Sequence, residues 1–147
     1  MKLQRNILIV GTYGIDIFYG IAEELQKLGC NVDTSISAED ALAKVGALAY
    51  HAILINLEPD GSGGVEGIEV LSTLIENELQ GDAVCLGVST QTPTSLLVAN
   101  PDKLKTLSIL VGWLTLPILA DKAGKMIVDI SANPGHLALR NRVQALA

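Results

Sequence analysis

The residues that could do chemistry in this chain stand at the ends of its apolar runs. Ala52-Ile53-Leu54-Ile55 closes on Asn56, and Leu57, Glu58, Pro59, Asp60 and the loop Gly61-Ser62-Gly63-Gly64 follow. Asn56 brings an amide, which donates and accepts hydrogen bonds but neither ionises nor attacks as a nucleophile at neutral pH. A second run, Ala83 to Val88, ends in the hydroxyls of Ser89 and Thr90. Glu58 and Asp60, with Asp16, offer carboxylates that a hard divalent cation would accept, although a solvated acidic turn is the plainer account. The glycine loop would present backbone N–H groups to a phosphate ahead of a helix, yet it lacks the Lys and Ser/Thr of a P-loop and reads as a connection. His51 and His136 have no companion at ligand spacing and read as surface or loop residues. Cys30 and Cys85 form no C-x-x-C pair and read as small buried apolar side chains in a reducing compartment. No Ser-x-x-Lys, Gly-x-Ser-x-Gly or paired-carboxylate arrangement is present. The inventory favours binding over bond-making.

The elements that position these groups follow from periodicity. Ile7-Leu8-Ile9-Val10 and the run ending at Asn56 are short, unalternating and rich in aliphatic residues, as strands buried on both faces of a parallel sheet are. Between them, apolar positions from Ile15 to Leu28 recur at three and four, predicting an amphipathic helix stopped by Gly29. A second strand near Cys30 to Ser35 carries polar residues at alternate places, as an edge strand does. Ser37-Ala38-Glu39-Asp40 is a helix start, with a capping hydroxyl and acids at the positive end, and that helix runs to about Leu48. Further along, the pattern predicts a helix over Val65 to Leu79, a strand over Ala83 to Val88 and a short or broken helix between Thr92 and Leu107. A fifth strand is expected over Ile109 to Thr115 and a fifth long helix over Ile118 to about Ser131. This alternation predicts an α/β fold, a five-stranded parallel sheet with right-handed crossovers and helices on both faces, in residues 1–132. Residues 133–147, opening with Asn133-Pro134-Gly135, are expected as a tail or an extra helix.

The bulk numbers set outer limits. At 147 residues the chain is long enough to bury one full core without staples. It is 49% hydrophobic and 18% charged, with a mean hydropathy of +0.41, so apolar surface is either doubly covered or kept for a partner. A net charge of −6 and a pI near 4.7 argue against nucleic-acid binding, which needs clustered cations. The uncharged run Thr106 to Ala120 falls short of the roughly 20 residues that a membrane helix requires. The reading is a cytoplasmic protein without a membrane segment.

Taken in order over about Asn6 to Ala132, these features resemble the receiver domain of bacterial response regulators. Leu28-Gly29-Cys30-Asn31-Val32 resembles the family's junction from helix to second strand, and Ser37 to Leu42 its second helix start. Asn56-Leu57-Glu58-Pro59 with Gly61 and Gly64 is similar to the phosphoacceptor loop, with the proline one residue early. Gly112-Trp113-Leu114-Thr115-Leu116-Pro117 is similar to the fifth strand and its Lys-Pro step, whose peptide bond is cis in the family. The resemblance implies the strand order 2-1-3-4-5. It also implies a site that has lost its chemistry. The acid pair for Mg²⁺ is replaced by Gly11 and Thr12, the aspartate by Asn56 (or Ile55 if the early proline shifts the register) and the lysine by Leu116. Only the hydroxyl is kept, as Ser89 or Thr90. Trp113 stands where the family carries its switch aromatic.

The function expected from these residues is a non-enzymatic signalling module, a pseudo-receiver that needs no metal and no cofactor. It would act through a protein partner, foremost a second copy of itself. The contact face would be the fourth helix, fifth strand and fifth helix, through Leu96, Leu97, Leu104, Leu107, Trp113 and Ile118. That stretch is charged only at Asp102, Lys103 and Lys105 between Thr90 and Ala120, and an exposed apolar patch implies a partner. The alternative is a small-ligand or nucleotide-binding domain of flavodoxin-like fold, with Gly11-Thr12-Tyr13-Gly14 and Gly61 to Gly64 flanking the strand-order reversal. The chain lacks the paired aromatics of a flavin site and the Asp-x-His-x-x-Gly of a cobalamin domain.

Overall fold

The computed structural model describes residues 5–10, 16–35, 37–57, 65–76, 83–99 and 101–132. The apolar runs form strands β1 (Asn6–Val10), β2 (Asn31–Ser35), β3 (Ala52–Asn56), β4 (Val84–Ser89) and β5 (Gly112–Thr115). The amphipathic segments form helices α1 (Asp16–Lys27), α2 (Ala38–Ala47), α3 (Val65–Glu76), α4 (Pro93–Ala99), α5 (Leu104–Leu107) and α6 (Ala120–Ala132). Every strand pairing is parallel and the order is β2-β1-β3-β4-β5. This is the fold class and strand order expected, and β2 lies at the edge as its polar residues require.

Pleating sends successive side chains to opposite faces, and the core divides accordingly. Ile7, Ile9, Leu54, Leu86 and Val88 pack on one face with Phe18, Ile21 and Leu25 of α1 and Ala123 and Ile127 of α6. Leu8, Val10, Ile53, Ile55 and Cys85 pack on the other with Ala41 of α2, Leu71 and Leu74 of α3 and Leu96 of α4. Each fully buried Leu or Ile contributes about 1.5–3 kcal/mol of transfer free energy. Helices α1 and α6 meet along small residues. A Cβ added at Gly20 would lie 3.2 Å from the Ala120 Cβ, and one at Gly124 would lie 3.2 Å from the Glu24 Cβ. Both cysteines are free and buried, and burial pushes the Cys30 thiol above its ordinary pKa.

Local signals in the sequence close the helices. Ser37 accepts a hydrogen bond from the Asp40 N–H at 3.1 Å, capping α2. Gly29 ends α1 in the left-handed region at φ 92°, and the Cys30 N–H reaches back to the Leu25 carbonyl at 3.0 Å. Lys44 pairs with Asp40 one turn away at 3.0 Å and also donates to the Thr34 carbonyl on edge strand β2. His51, expected on the surface, is exposed, and its Nδ1 accepts the Asn6 backbone N–H at 3.0 Å, tying β1 to the start of β3.

Two element starts depart from the sequence pattern by two residues or more. Strand β5 begins at Gly112 and not Ile109, because the Leu110 N–H bonds the Leu107 carbonyl and prolongs the turn of α5; the ladder starts with the Val111 N–H on the Cys85 carbonyl. Helix α6 begins at Ala120 and not Ile118, with the Leu119 carbonyl accepting from the Ala123 N–H. The segment expected as a short or broken helix is two short helices around a 3₁₀ turn at Pro101–Lys103, where proline supplies no N–H to a continuing helix. Helix α3 is described to Glu76, and the tail 133–147 lies outside the described residues.

Tyr50, buried before β3, donates its phenol O–H to the Asp33 carboxylate of β2 at 2.6 Å. Burial first, then the bond to Asp33 and the charges of Asp33 and Asp40, hold its pKa far above the ordinary tyrosine value. A raised folded pKa means that the protonated form is the one the fold prefers. Its contribution is therefore whole below about pH 10, the unfolded value, and is lost as the pH rises beyond it. In urea titrations Tyr50→Phe is expected to cost about 0.5–1.5 kcal/mol at pH 7. Between about pH 10 and 11 the variant should lose less stability than the parent, and equal slopes would contradict this account.

Candidate functional site

Parallel α/β sheets place their ligands at the carboxyl ends of the strands. Here that edge carries Asn56 at the end of β3, Ser89 at the end of β4 with Thr90 after it, and Leu116 after β5. Asn56 is half-buried and registers with Val88, and the Leu57 N–H bonds the Val88 carbonyl at 2.8 Å. Ser89 has no exposed surface. Its Oγ accepts the Gln91 N–H at 3.0 Å and its carbonyl accepts the Leu116 N–H at 2.9 Å. Thr90 beside it is exposed. Leu116 is half-buried against the cluster beneath α1 and α6, and the Leu116-Pro117 bond is cis. The fold thus brings Asn56, Ser89 and Leu116 to neighbouring strand ends. Gly11 and Thr12, Glu58 and Asp60, and both glycine loops lie outside the described residues. Among the described residues no cluster of three or more His, Cys, Asp or Glu side chains could hold a metal ion.

Trp113 ties β5 to the loop between β4 and α4. Its indole Nε1–H donates to the Gln91 carbonyl at 3.0 Å. Its ring lies over Gly87, its register partner on β4, where a Cβ would come within 2.9 Å of the ring and of the Leu57 Cδ1. Gln91 therefore receives the ring on its carbonyl while its own N–H is held by Ser89. A hydroxyl and an aromatic from different strands converge on the backbone of one residue.

The contact face is drawn differently from the sequence expectation. Leu96 is 3% exposed and belongs to the core under α3 and α4, so it is unavailable to a partner. Leu107 and Trp113 are half-buried against that same cluster, and Ile118 packs against the opposite one. Leu97 is half-buried and Leu104 is exposed. A four-residue helix such as α5 and the first turn of α4 spend half their apolar residues on the sheet, so an uncharged stretch overstates the apolar surface. The large apolar side chains that do face outward around it are Val98, 76% exposed, Leu119, 62% exposed, and Met126 on α6.

Sequence reasoning missed Gly67, Gly87 and Gln91. A Cβ at Gly67, in the first turn of α3, would stand 2.2 Å from the Asn56 carbonyl oxygen. The helix start is thus pressed onto the end of β3. A glycine inside a helical pattern and another inside a strand are recognised signs of close backbone approach. Gln91 carries no such sign, because it acts through its backbone.

No protein-family model and no curated protein matches the sequence. Solved structures do match. A response regulator from Thermotoga maritima superposes with a TM-score of 0.69 at 16% identity, covering 89% of this chain and 100% of that one. The Vibrio cholerae chemotaxis protein CheY4 gives 0.68 at 20% identity, over 87% and 99%. A Burkholderia pseudomallei response regulator, solved with a phosphorylated aspartic acid, calcium ion and citrate, gives 0.64 at 18% identity, over 94% and 72%. The chain has the fold of response-regulator receiver domains.

The pressed contact is open to direct test. Gly67→Ala is expected to lower stability by about 1–3 kcal/mol, the usual scale of overpacking against atoms that cannot yield. Gly46→Ala in α2, where an added Cβ meets nothing within 4 Å, should be neutral or stabilising. Urea denaturation of both variants decides it, and a Gly67→Ala variant as stable as Gly46→Ala would refute the close approach.

Proposed function

We propose that this chain is a pseudo-receiver, a signalling module that works through protein contacts without aspartyl phosphorylation. The observation that carries the reading is Asn56 at the carboxyl end of the central strand β3, where the receiver resemblance places the phosphoacceptor. Phosphoryl transfer to a receiver needs a carboxylate nucleophile, and an amide cannot take that part. Leu116, before the cis proline, packs into the core and brings no cation to pair with a phosphoryl group. The Ser89 hydroxyl, the one group retained, already accepts a hydrogen bond from the Gln91 N–H. Gly11 and Thr12 at the acid-pair positions would leave Mg²⁺ without its carboxylates. No helix among the described residues is long and apolar enough to cross a membrane, and we place the protein in the cytoplasm.

Trp113 is the single tryptophan and stands beside the site. Its emission should remain unchanged on adding Mg²⁺ with beryllofluoride to millimolar levels, and acetyl phosphate should leave no phosphoryl adduct in the intact mass. A saturable, Mg²⁺-dependent change would show that Asp16, Glu58 or Asp60 builds an acidic site, and would refute the reading.

The partner we propose is a second copy, docking through the surface of α4, α5, β5 and α6. The support is the outward set Val98, Leu104, Leu119 and Met126, which replaces the buried members of the expected set. Large apolar side chains left exposed on a chain this poor in charge are costly to leave in water. Sedimentation velocity at tens of micromolar should report a dimer that Val98→Lys together with Leu119→Lys converts to monomer. A parent that is monomeric at that concentration would exclude the homodimer.

A further inference from the structure

We infer that the cavity between α4, α5 and β5 is a binding site for a small, uncharged, planar apolar molecule of one or two fused rings. It is a pocket of about 220 Å³, open to solvent on one side and lined by Pro93, Leu107, Leu110, Val111, Gly112 and Trp113. An apolar cavity of about 150 Å³ is enough to hold benzene, and pockets for drug-sized ligands begin near 300 Å³, so the volume selects one or two rings. The lining selects their chemistry. No charged side chain is among the six residues. Backbone groups of the lining are engaged within the fold: the Leu110 N–H bonds the Leu107 carbonyl, the Val111 N–H bonds the Cys85 carbonyl, and proline has no N–H. The indole Nε1–H points to the Gln91 carbonyl, so Trp113 is held by its donor while part of its apolar body lines the cavity. A ligand bearing a charge or several hydrogen-bonding groups would lose its hydration there for nothing in return.

The cavity is held open by its construction. One wall is the first residue of α4, another is α5, and the third is β5, whose Trp113 is fixed at both ends by Gln91 and by the bare backbone of Gly87. Collapse would require Trp113 to leave Gly87 or to break the bond to Gln91. Pro93 is exposed, which places the mouth beside α4. The site rests on this cavity alone and holds whether or not the chain can be phosphorylated.

The test uses the full chain labelled with 5-fluorotryptophan, so that one ¹⁹F resonance reports the cavity wall in the absence of Mg²⁺ and phosphoryl donors. Toluene and naphthalene are expected to shift that resonance saturably, and benzoate, the charged counterpart, is not. Two cavity-filling variants, Pro93→Phe at the exposed mouth and Leu107→Phe on α5, are each expected to weaken binding by roughly tenfold or more. Either variant suffices if its thermal midpoint stays close to that of the parent. Absence of a saturable shift up to the solubility limit overturns the proposal, as does a shift that both folded variants leave unchanged. Protein concentration is held fixed throughout, so that pairing of two copies over the neighbouring surface does not enter the shift. Phosphoryl mimics play no part here, so failure of this site and failure of the pseudo-receiver reading are seen separately.

Discussion

The burial of β3 from both sides is the constraint on which the rest of the molecule depends. Ala52 and Leu54 are sealed by α1 and α6, and Ile53 and Ile55 by the helices of the opposite face. A strand so enclosed can display a side chain only where it leaves the sheet, and Asn56 is that position. The same enclosure forces every parallel neighbour to return through a crossover, which gathers the ends of β1, β3, β4 and β5 along one edge. Gly67 carries the constraint into α3, because the helix must start against the Asn56 carbonyl for its apolar face to reach the sheet.

At Leu116, packing has taken over a position that the receiver resemblance assigns to charge. Leu116 adds to the core, and Ser89 closes a local turn through Gln91. These groups do not wait for a ligand to satisfy them. A buried ammonium or carboxylate would need a partner to offset its desolvation, whereas an aliphatic side chain and a satisfied hydroxyl do not. Leu116 and Ser89 are satisfied as they stand, which supports the pseudo-receiver reading proposed for the chain.

The sheet was legible in the sequence because short unalternating aliphatic runs have few other uses, and because Gly29 and Ser37 mark helix ends by mechanisms that need no tertiary context. The polar alternation of β2 placed it at the edge, and the family resemblance at Leu116-Pro117 pointed to a cis bond, which is present. What could not be read was tertiary. Leu96 and Val98 lie two residues apart on α4 and look alike, yet one is 3% and the other 76% exposed, because the helix is short and only its docking angle decides. The start of β5 was misplaced because an N–H at Leu110 could serve either a turn or a ladder, and α5 claims it. The partners of Gln91 were hidden for a related reason: a backbone group gives no sign of which side chain will find it.

Strand β2 leaves one margin of the sheet unpaired, and Lys44 reaches across it to the Thr34 carbonyl, with Asp40 beside it. An ammonium group on a strand margin blocks the approach of another chain's backbone. Growth of the sheet by adding copies end upon end is therefore barred on this side. The ion pair on α2 is worth little as a contributor to stability. Its consequence lies in keeping the β2 margin closed to a strand from another chain.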